Sequence, residues 1–100
     1  MVKHIILWQL KDELSAEEKE AAKKAIKEGL EGLKDQIPEI CQIKVNINGL
    51  ETSNADVMLD SSFKTAEDLA VYANHPKHVA VATGVVKPNT KSRTCLDFEE

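Results

Sequence analysis

The stretch "VKHIILWQL", Val2–Leu10, decides the fold. Successive side chains of a β-strand point to opposite faces of the sheet. Ile5 and Leu7 then project one way, and His4, Ile6, Trp8 and Leu10 the other. Both rows are largely apolar, the pattern of a central strand covered on both sides. The remaining elements have to be arranged around it.

The segment that follows, "SAEEKEAAKKAIKEGLEGLKDQI", reads as a long helix. Ser15 and Glu18 have the spacing of a capping box. Ala22, Ile26, Leu30, Leu33 and Ile37 recur at four, four, three and four, which makes one apolar stripe. Gly29 and Gly32 each cost such a helix about 1 kcal/mol relative to alanine, and close packing on the sheet is the simplest reason for them. Pro38 ends the helix at or before Ile37.

Two alternating segments come next. In "CQIKVNI", Cys41, Ile43, Val45 and Ile47 face the core; in "ADVMLDSSF", Val57, Leu59 and Phe63 share a face. "NGLETSN" between them is turn and loop. Thr65 caps a second helix that carries Leu69, Tyr72 and Ala73 on one side. Pro76 interrupts it, pushes His75 away from helical angles, and starts a new helical turn. Val79, Ala82 and Val86 fit one face of that helix, although "VAVATGVV" also fits a strand. "KPNTKS" reads as a loop, and "RTCLDFE" as a last strand with Thr94, Leu96 and Phe98 on one face.

The order strand, helix, strand, strand, helix, strand predicts an α+β domain over residues 1–100: a ferredoxin-like βαββαβ protomer whose four-stranded antiparallel sheet carries both helices on one face. Right-handed crossovers place the first strand in the middle, beside the third and fourth. The other face has no element left to cover it, yet it carries an apolar row. A second copy packed sheet to sheet is the economical cover, so a homodimer is expected; the alternative is a monomer with a half-wet sheet.

Composition narrows the function classes. The net charge of −4, with acids and bases interspersed, argues against a nucleic-acid or anionic-membrane partner. No apolar run approaches membrane length and no signal peptide opens the chain. Cys41 and Cys95 lack metal-ligand spacing and read as free thiols packed on strands, in the reducing cytoplasm.

The chemistry-bearing segment is "VYANHPKH", Val71–His78, with the only tyrosine and two of the three histidines. Residues six apart on a straight helix point away from each other, but a break at His75-Pro76 lets Tyr72 and His78 reach one cavity between the helices and the sheet. A neutral histidine can take a proton from a carbon next to a carbonyl. A tyrosine hydroxyl can donate to the enolate oxygen that forms. Each has a plainer reading as well: His78 as a satisfied group at a helix start, Tyr72 as core, His75 as a cap. Ile6, Trp8, Leu69 and Val79 are candidates for an apolar lining. His4 at the start of the first strand and Asp97 near the end of the last are placed to pair, which would set the histidine's tautomer. Neither a cofactor nor a metal is expected, because the proline between His75 and His78 spoils helical ligand spacing.

"VKHIILWQLKDELSAEE", "NHPKHVA" and "CLDFE" together give the whole chain a resemblance to the stress-responsive dimeric α/β barrel domain family. That resemblance implies a dimer of ferredoxin-like protomers. One member class is the plant polyketide cyclase that closes olivetolic acid, in which a tyrosine and a histidine of a Tyr-x-x-His-Pro-x-His element act as acid/base partners. Tyr72, His75, Pro76 and His78 fit that element, so it implies catalytic roles for Tyr72 and His78. His4 and Asp97 match two further positions. A pocket histidine of the cyclase falls on Val57, which argues for a different substrate. The expected function is therefore a homodimeric barrel protein holding a small apolar or polyketide-like ligand, or alternatively a cofactor-free cyclase or isomerase-like enzyme.

Overall fold

The structure is a computed structural model that describes all residues from Met1 to Glu100. Four strands, β1 (Val2–Leu10), β2 (Ile40–Asn46), β3 (Val57–Phe63) and β4 (Thr90–Glu99), form one antiparallel sheet in the order β2-β3-β1-β4. Helices α1 (Ala16–Glu31), α2 (Ala66–Asn74) and α3 (Pro76–Val81) cover one face. This is the ferredoxin-like arrangement, with β1 central as its two apolar rows require.

The helix-facing row of β1 is His4, Ile6, Trp8 and Leu10, all buried. Facing it, Ala22, Ile26 and Leu30 of α1 and, past its end, Leu33 and Ile37 are all buried. Each large apolar side chain of this kind contributes on the order of 1.5–3 kcal/mol when removed from water. Ser15 and Glu18 form the reciprocal capping box at the start of α1. The helix tightens into a 3-10 turn at Gly32–Asp35 before Pro38. Thr65 caps α2 by accepting the Asp68 N–H at 3.1 Å.

Three local expectations are corrected, and one that was open between helix and strand is settled as helix. The alternation of β2 is not strict. A bulge between Ile40 and Gln42 brings Ile40 into the core and leaves Cys41 as the extra, unpaired residue; Ile47 lies beyond the strand's end. Gly29 does not make room for the sheet: a Cβ there would meet Val81 Cγ1 of α3 at 2.9 Å, whereas one at Gly32 would meet nothing within 4 Å. "VAVATGVV" is helical, and it runs through a π-helical turn at Ala82–Val86 into a last turn at Lys87–Asn89. That wider turn precedes Pro88, which has no N–H for an ordinary helical bond and whose ring would crowd the carbonyl of Gly84. Finally, "KPNTKS" is not a loop: its first half is that turn and its second half already belongs to β4.

The opposite face is bare. Ile5 and Leu7 of β1 lie beside Leu96 and Thr94 of β4 and beside Asp60 and Met58 of β3. Leu7 is 39% exposed, Leu96 63% and Phe98 39%. Lys3 and Asp60 form an ion pair at 2.6 Å at one end of this surface. No helix is long and apolar enough to cross a membrane.

Candidate functional site

A cavity of about 630 Å³ opens between β1, the helical segment from α3 to the π-helical turn, and the start of β4. Its size is that of small-molecule sites in general. Ile6, Trp8, Leu30, Leu59, Val79 and Val86 supply apolar wall; Tyr72, His78 and His4 supply the titratable groups.

The break between α2 and α3 builds the central pair. His75 ends α2 in extended geometry (φ −66°, ψ 132°), as a residue before proline must. Its Nδ1 accepts the Lys77 N–H at 3.1 Å and so caps α3. The change of direction folds His78 back onto Tyr72, ring centroids 4.4 Å apart. Tyr72 is completely buried, packed also on Phe63 at 5.1 Å and edge-on to His4 at 6.1 Å.

Hydrogen bonds define what each group can do. The carbonyl of Ala73 can only accept, so the 3.0 Å contact to His78 Nδ1 places the proton of the neutral imidazole there. Nε2 is then left as the lone-pair nitrogen. Burial pushes the His78 imidazole below the usual histidine range; the Ala73 bond opposes this, and the nearby charges of His4, Arg93 and His75 add to it. Burial likewise pushes the Tyr72 phenol far above its ordinary value, against the pull of Arg93. The hydroxyl is sealed from solvent and has no hydrogen-bond partner. An unpaired buried donor of that kind costs about 1–3 kcal/mol, and a ligand oxygen reaching it after a small movement of the wall would recover that cost.

His4 Nδ1 is hydrogen-bonded to Asp97 Oδ1, across the β1–β4 register pair His4↔Asp97. The carboxylate can only accept, so the histidine's Nδ1 carries the hydrogen of this bond. His4 lines the cavity and Asp97 stands behind it.

Of the residues singled out in the sequence, Tyr72, His78, His4, Ile6, Trp8 and Val79 line this cavity. Leu69, His75 and Asp97 do not: Leu69 packs against the core, His75 caps α3, and Asp97 acts only through His4. The sequence reading missed Thr83, Lys87, Thr90, Lys91, Ser92 and Arg93, the polar part of the wall. Beginning the last strand at Arg93 hid most of them. A signal for Arg93 was present, since assigning Thr94, Leu96 and Phe98 to one face puts Arg93, Cys95 and Asp97 on the other.

Cys95 is another correction. It is exposed rather than packed, because no helix lies over β4. Its thiol is 3.8 Å from His4 Nδ1 and 3.5 Å from Asp97 Oδ1, so His4, Cys95 and Asp97 offer donors of the kind that bind zinc. Two ligands on a tetrahedral zinc stand roughly 3.3 Å apart at ordinary bond lengths. His4 and Asp97 are closer than that in their direct hydrogen bond, so a metal would have to spread them.

Comparison with known proteins matches this architecture. The chain matches the family described as the stress responsive A/B barrel domain over residues 2–100. A solved structure of a dimeric protein of unknown function and ferredoxin-like fold, from Bacteroides fragilis NCTC 9343, is 36% identical, with 99% of this chain and 95% of that chain covered and a TM-score of 0.92. A dimeric ferredoxin-like protein of unknown function from Thermobifida fusca is similar in fold at 22% identity (coverage 99% and 90%, TM-score 0.78). The hydroxynitrile lyase of Passiflora edulis is similar in fold at 17% identity (coverage 97% and 90%, TM-score 0.73). No curated protein matches the chain. With the family matched along virtually the whole sequence and the same fold in each of these relatives, the chain belongs to the stress responsive A/B barrel domain family.

Proposed function

We propose that this protein is a homodimer packed sheet against sheet, and that the cavity of each protomer binds a small apolar carbonyl compound and exchanges protons with it without a cofactor. The observation that carries the chemistry is the placing of His78 on Tyr72, 4.4 Å between ring centres, in the wall of a cavity of about 630 Å³. Uncharged at neutral pH, His78 takes a proton from a carbon next to the carbonyl through Nε2. Tyr72, kept protonated by burial, donates to the enolate oxygen as charge develops on it. Such a pair supports enolisation or isomerisation. With a second carbonyl in the same molecule it supports ring closure, the enolate carbon forming the new C–C bond. His4, oriented by Asp97, is a second group able to relay a proton.

The dimer is supported by the bare row Ile5, Leu7, Leu96 and Phe98 and by the dimeric state stated for the Bacteroides fragilis relative. A domain of this length gains much from a second source of buried surface. The free thiols Cys41 and Cys95 suit a reducing compartment, and we place the protein in the cytoplasm.

The test is hydrogen–deuterium exchange at the carbon next to the carbonyl, followed by NMR over a panel of small ketones and oxo acids. Exchange above the buffer rate, lost in His78→Gln while the variant still binds, is the expected result. Binding to both proteins with no exchange in either would instead favour a non-catalytic ligand carrier. That second reading draws on one observation: the sealed Tyr72 hydroxyl needs an acceptor, whether or not a proton moves.

A further inference from the structure

The cavity wall differs in charge from the rest of the chain. The protein as a whole is acidic, with 17 Asp and Glu against 13 Lys and Arg. Yet Lys87, Lys91 and Arg93 line the cavity and no carboxylate does. Asp97 is held behind His4, and Asp12 is taken up by Lys91, with contacts of 2.8 and 2.9 Å. Arg93 takes part in none of the ion pairs of the molecule. Its register partner is Trp8, which puts it on the helix-facing side of β4, over the cavity. It is also near enough for its charge to act on both Tyr72 and His78. A guanidinium left without a carboxylate at the rim of an apolar cavity is the arrangement that binds a planar anion through two parallel N–H bonds. Lys87 adds a second unpaired cation, and Thr83, Thr90 and Ser92 add hydroxyls at the same rim.

We infer that the ligand is an apolar carboxylic acid, bound as its anion with the carboxylate at Arg93 and Lys87 and the hydrocarbon body against Ile6, Trp8 and Val86. This rests on the reading of the cavity as a ligand site and adds the substrate class, an oxo acid whose carbonyl faces Tyr72 while its carboxylate stays at the rim. The positive rim then does two things. It selects the anion, and it stabilises the further negative charge that appears on the enolate oxygen when the proton leaves.

The experiment uses the full chain and two matched probes, octanoate and octanamide, titrated by NMR at the Tyr72 and His78 signals and by calorimetry. Octanoate should bind more tightly by on the order of tenfold, the worth of a charge-assisted contact, and added salt should weaken octanoate alone. Arg93→Gln should remove most of the difference, Arg93→Gln with Lys87→Gln all of it, and both should leave octanamide unchanged; Arg93→Lys should restore part of it. Arg93 is exposed on an outer strand, so these variants should fold, which thermal melting checks. Equal binding of the two probes to the wild type, or a preference undiminished in Arg93→Gln and in the double variant, overturns the anion assignment and leaves the cavity a ligand site. If neither probe moves the Tyr72 or His78 signals up to its solubility, the ligand reading falls and takes this inference with it.

Discussion

The imidazole of His78 rests on the ring of Tyr72, centroids 4.4 Å apart and planes inclined by 40°, although the two residues are six positions apart on a stretch of chain that is helical on either side of them. Only the break at His75-Pro76 allows this. The contact creates a conflict at Tyr72, whose hydroxyl is buried without a partner.

Tyr72→Phe should therefore stabilise the unliganded protein and, on the proposed mechanism, abolish carbonyl exchange. The expected gain is about 1 kcal/mol, the lower end of the cost of an unsatisfied buried hydroxyl. Urea denaturation would measure it, and the carbonyl exchange assay should show the activity lost. A Phe variant less stable than the wild type would mean that the hydroxyl already has a partner, most simply an ordered water.

His78 ties stability to pH. Its folded-state pKa lies below the ordinary value of 6.5, so the unfolded chain binds the proton more readily. The contribution of this group is fully present above that ordinary value and is lost as pH falls through the depressed one. Urea midpoints measured from pH 7.5 down to 5 should fall less steeply for His78→Gln than for the wild type. The exchange rate, if His78 is the base, should decline at a lower pH than an ordinary histidine, whose pKa is 6.5, would give.

The two helical glycines should respond in opposite senses to one substitution. Gly29→Ala drives a methyl to within 2.9 Å of Val81 Cγ1, an overpacking that typically costs 1–3 kcal/mol and outweighs the helix-propensity gain of about 1 kcal/mol. Gly32→Ala meets open space with helical backbone angles and should stabilise by about 0.5–1 kcal/mol. Melting temperatures of the two variants moving in the same direction would contradict this packing of α1 on α3.

Val45 lies on the edge strand β2, where no neighbouring strand completes its hydrogen bonds. Glu31 Oε2 accepts its N–H at 2.8 Å and Lys27 Nζ donates to its carbonyl at 2.7 Å, while the two side chains pair with each other at 2.7 Å. Burial alone would raise the Glu31 pKa, but the Lys27 ammonium and the Val45 N–H outweigh it and hold the carboxyl below its usual value. Glu31→Ala should cost about 1 kcal/mol, a charged hydrogen bond discounted for solvent exposure. It should also speed amide exchange at Val45. An unchanged exchange rate there would show that the pair does not shield the edge.

Leu96→Glu tests the dimer. It places a charge in the middle of the bare face, beside Ile5. Sedimentation equilibrium at micromolar concentration should give two chains for the wild type and one, 11.1 kDa, for the variant. A wild type sedimenting as a single chain would remove the basis for sheet-to-sheet packing.

What the amino-acid order determined by itself was whatever repeats over a few residues. The two apolar rows of Val2–Leu10 required a central strand. The spacing Ala22, Ile26, Leu30, Leu33 and Ile37 required one buried helix face, and Ser15, Thr65 and Pro76 marked where helices begin. Period, capping and proline geometry act between near neighbours, so they can be read along the line. Tertiary structure alone decided the rest. The bulge at Cys41 depends on the pairing of β2 with β3, and the use of Gly29 on Val81 of another helix. The exposure of Cys95 follows from the absence of any helix over β4. The rim of Lys87, Lys91 and Arg93 exists because a π-helical turn and an early start to β4 bring those cations over a cavity floored by Ile6 and Trp8. Such features arise where segments distant in the chain meet, and a local pattern carries no record of which segments those will be.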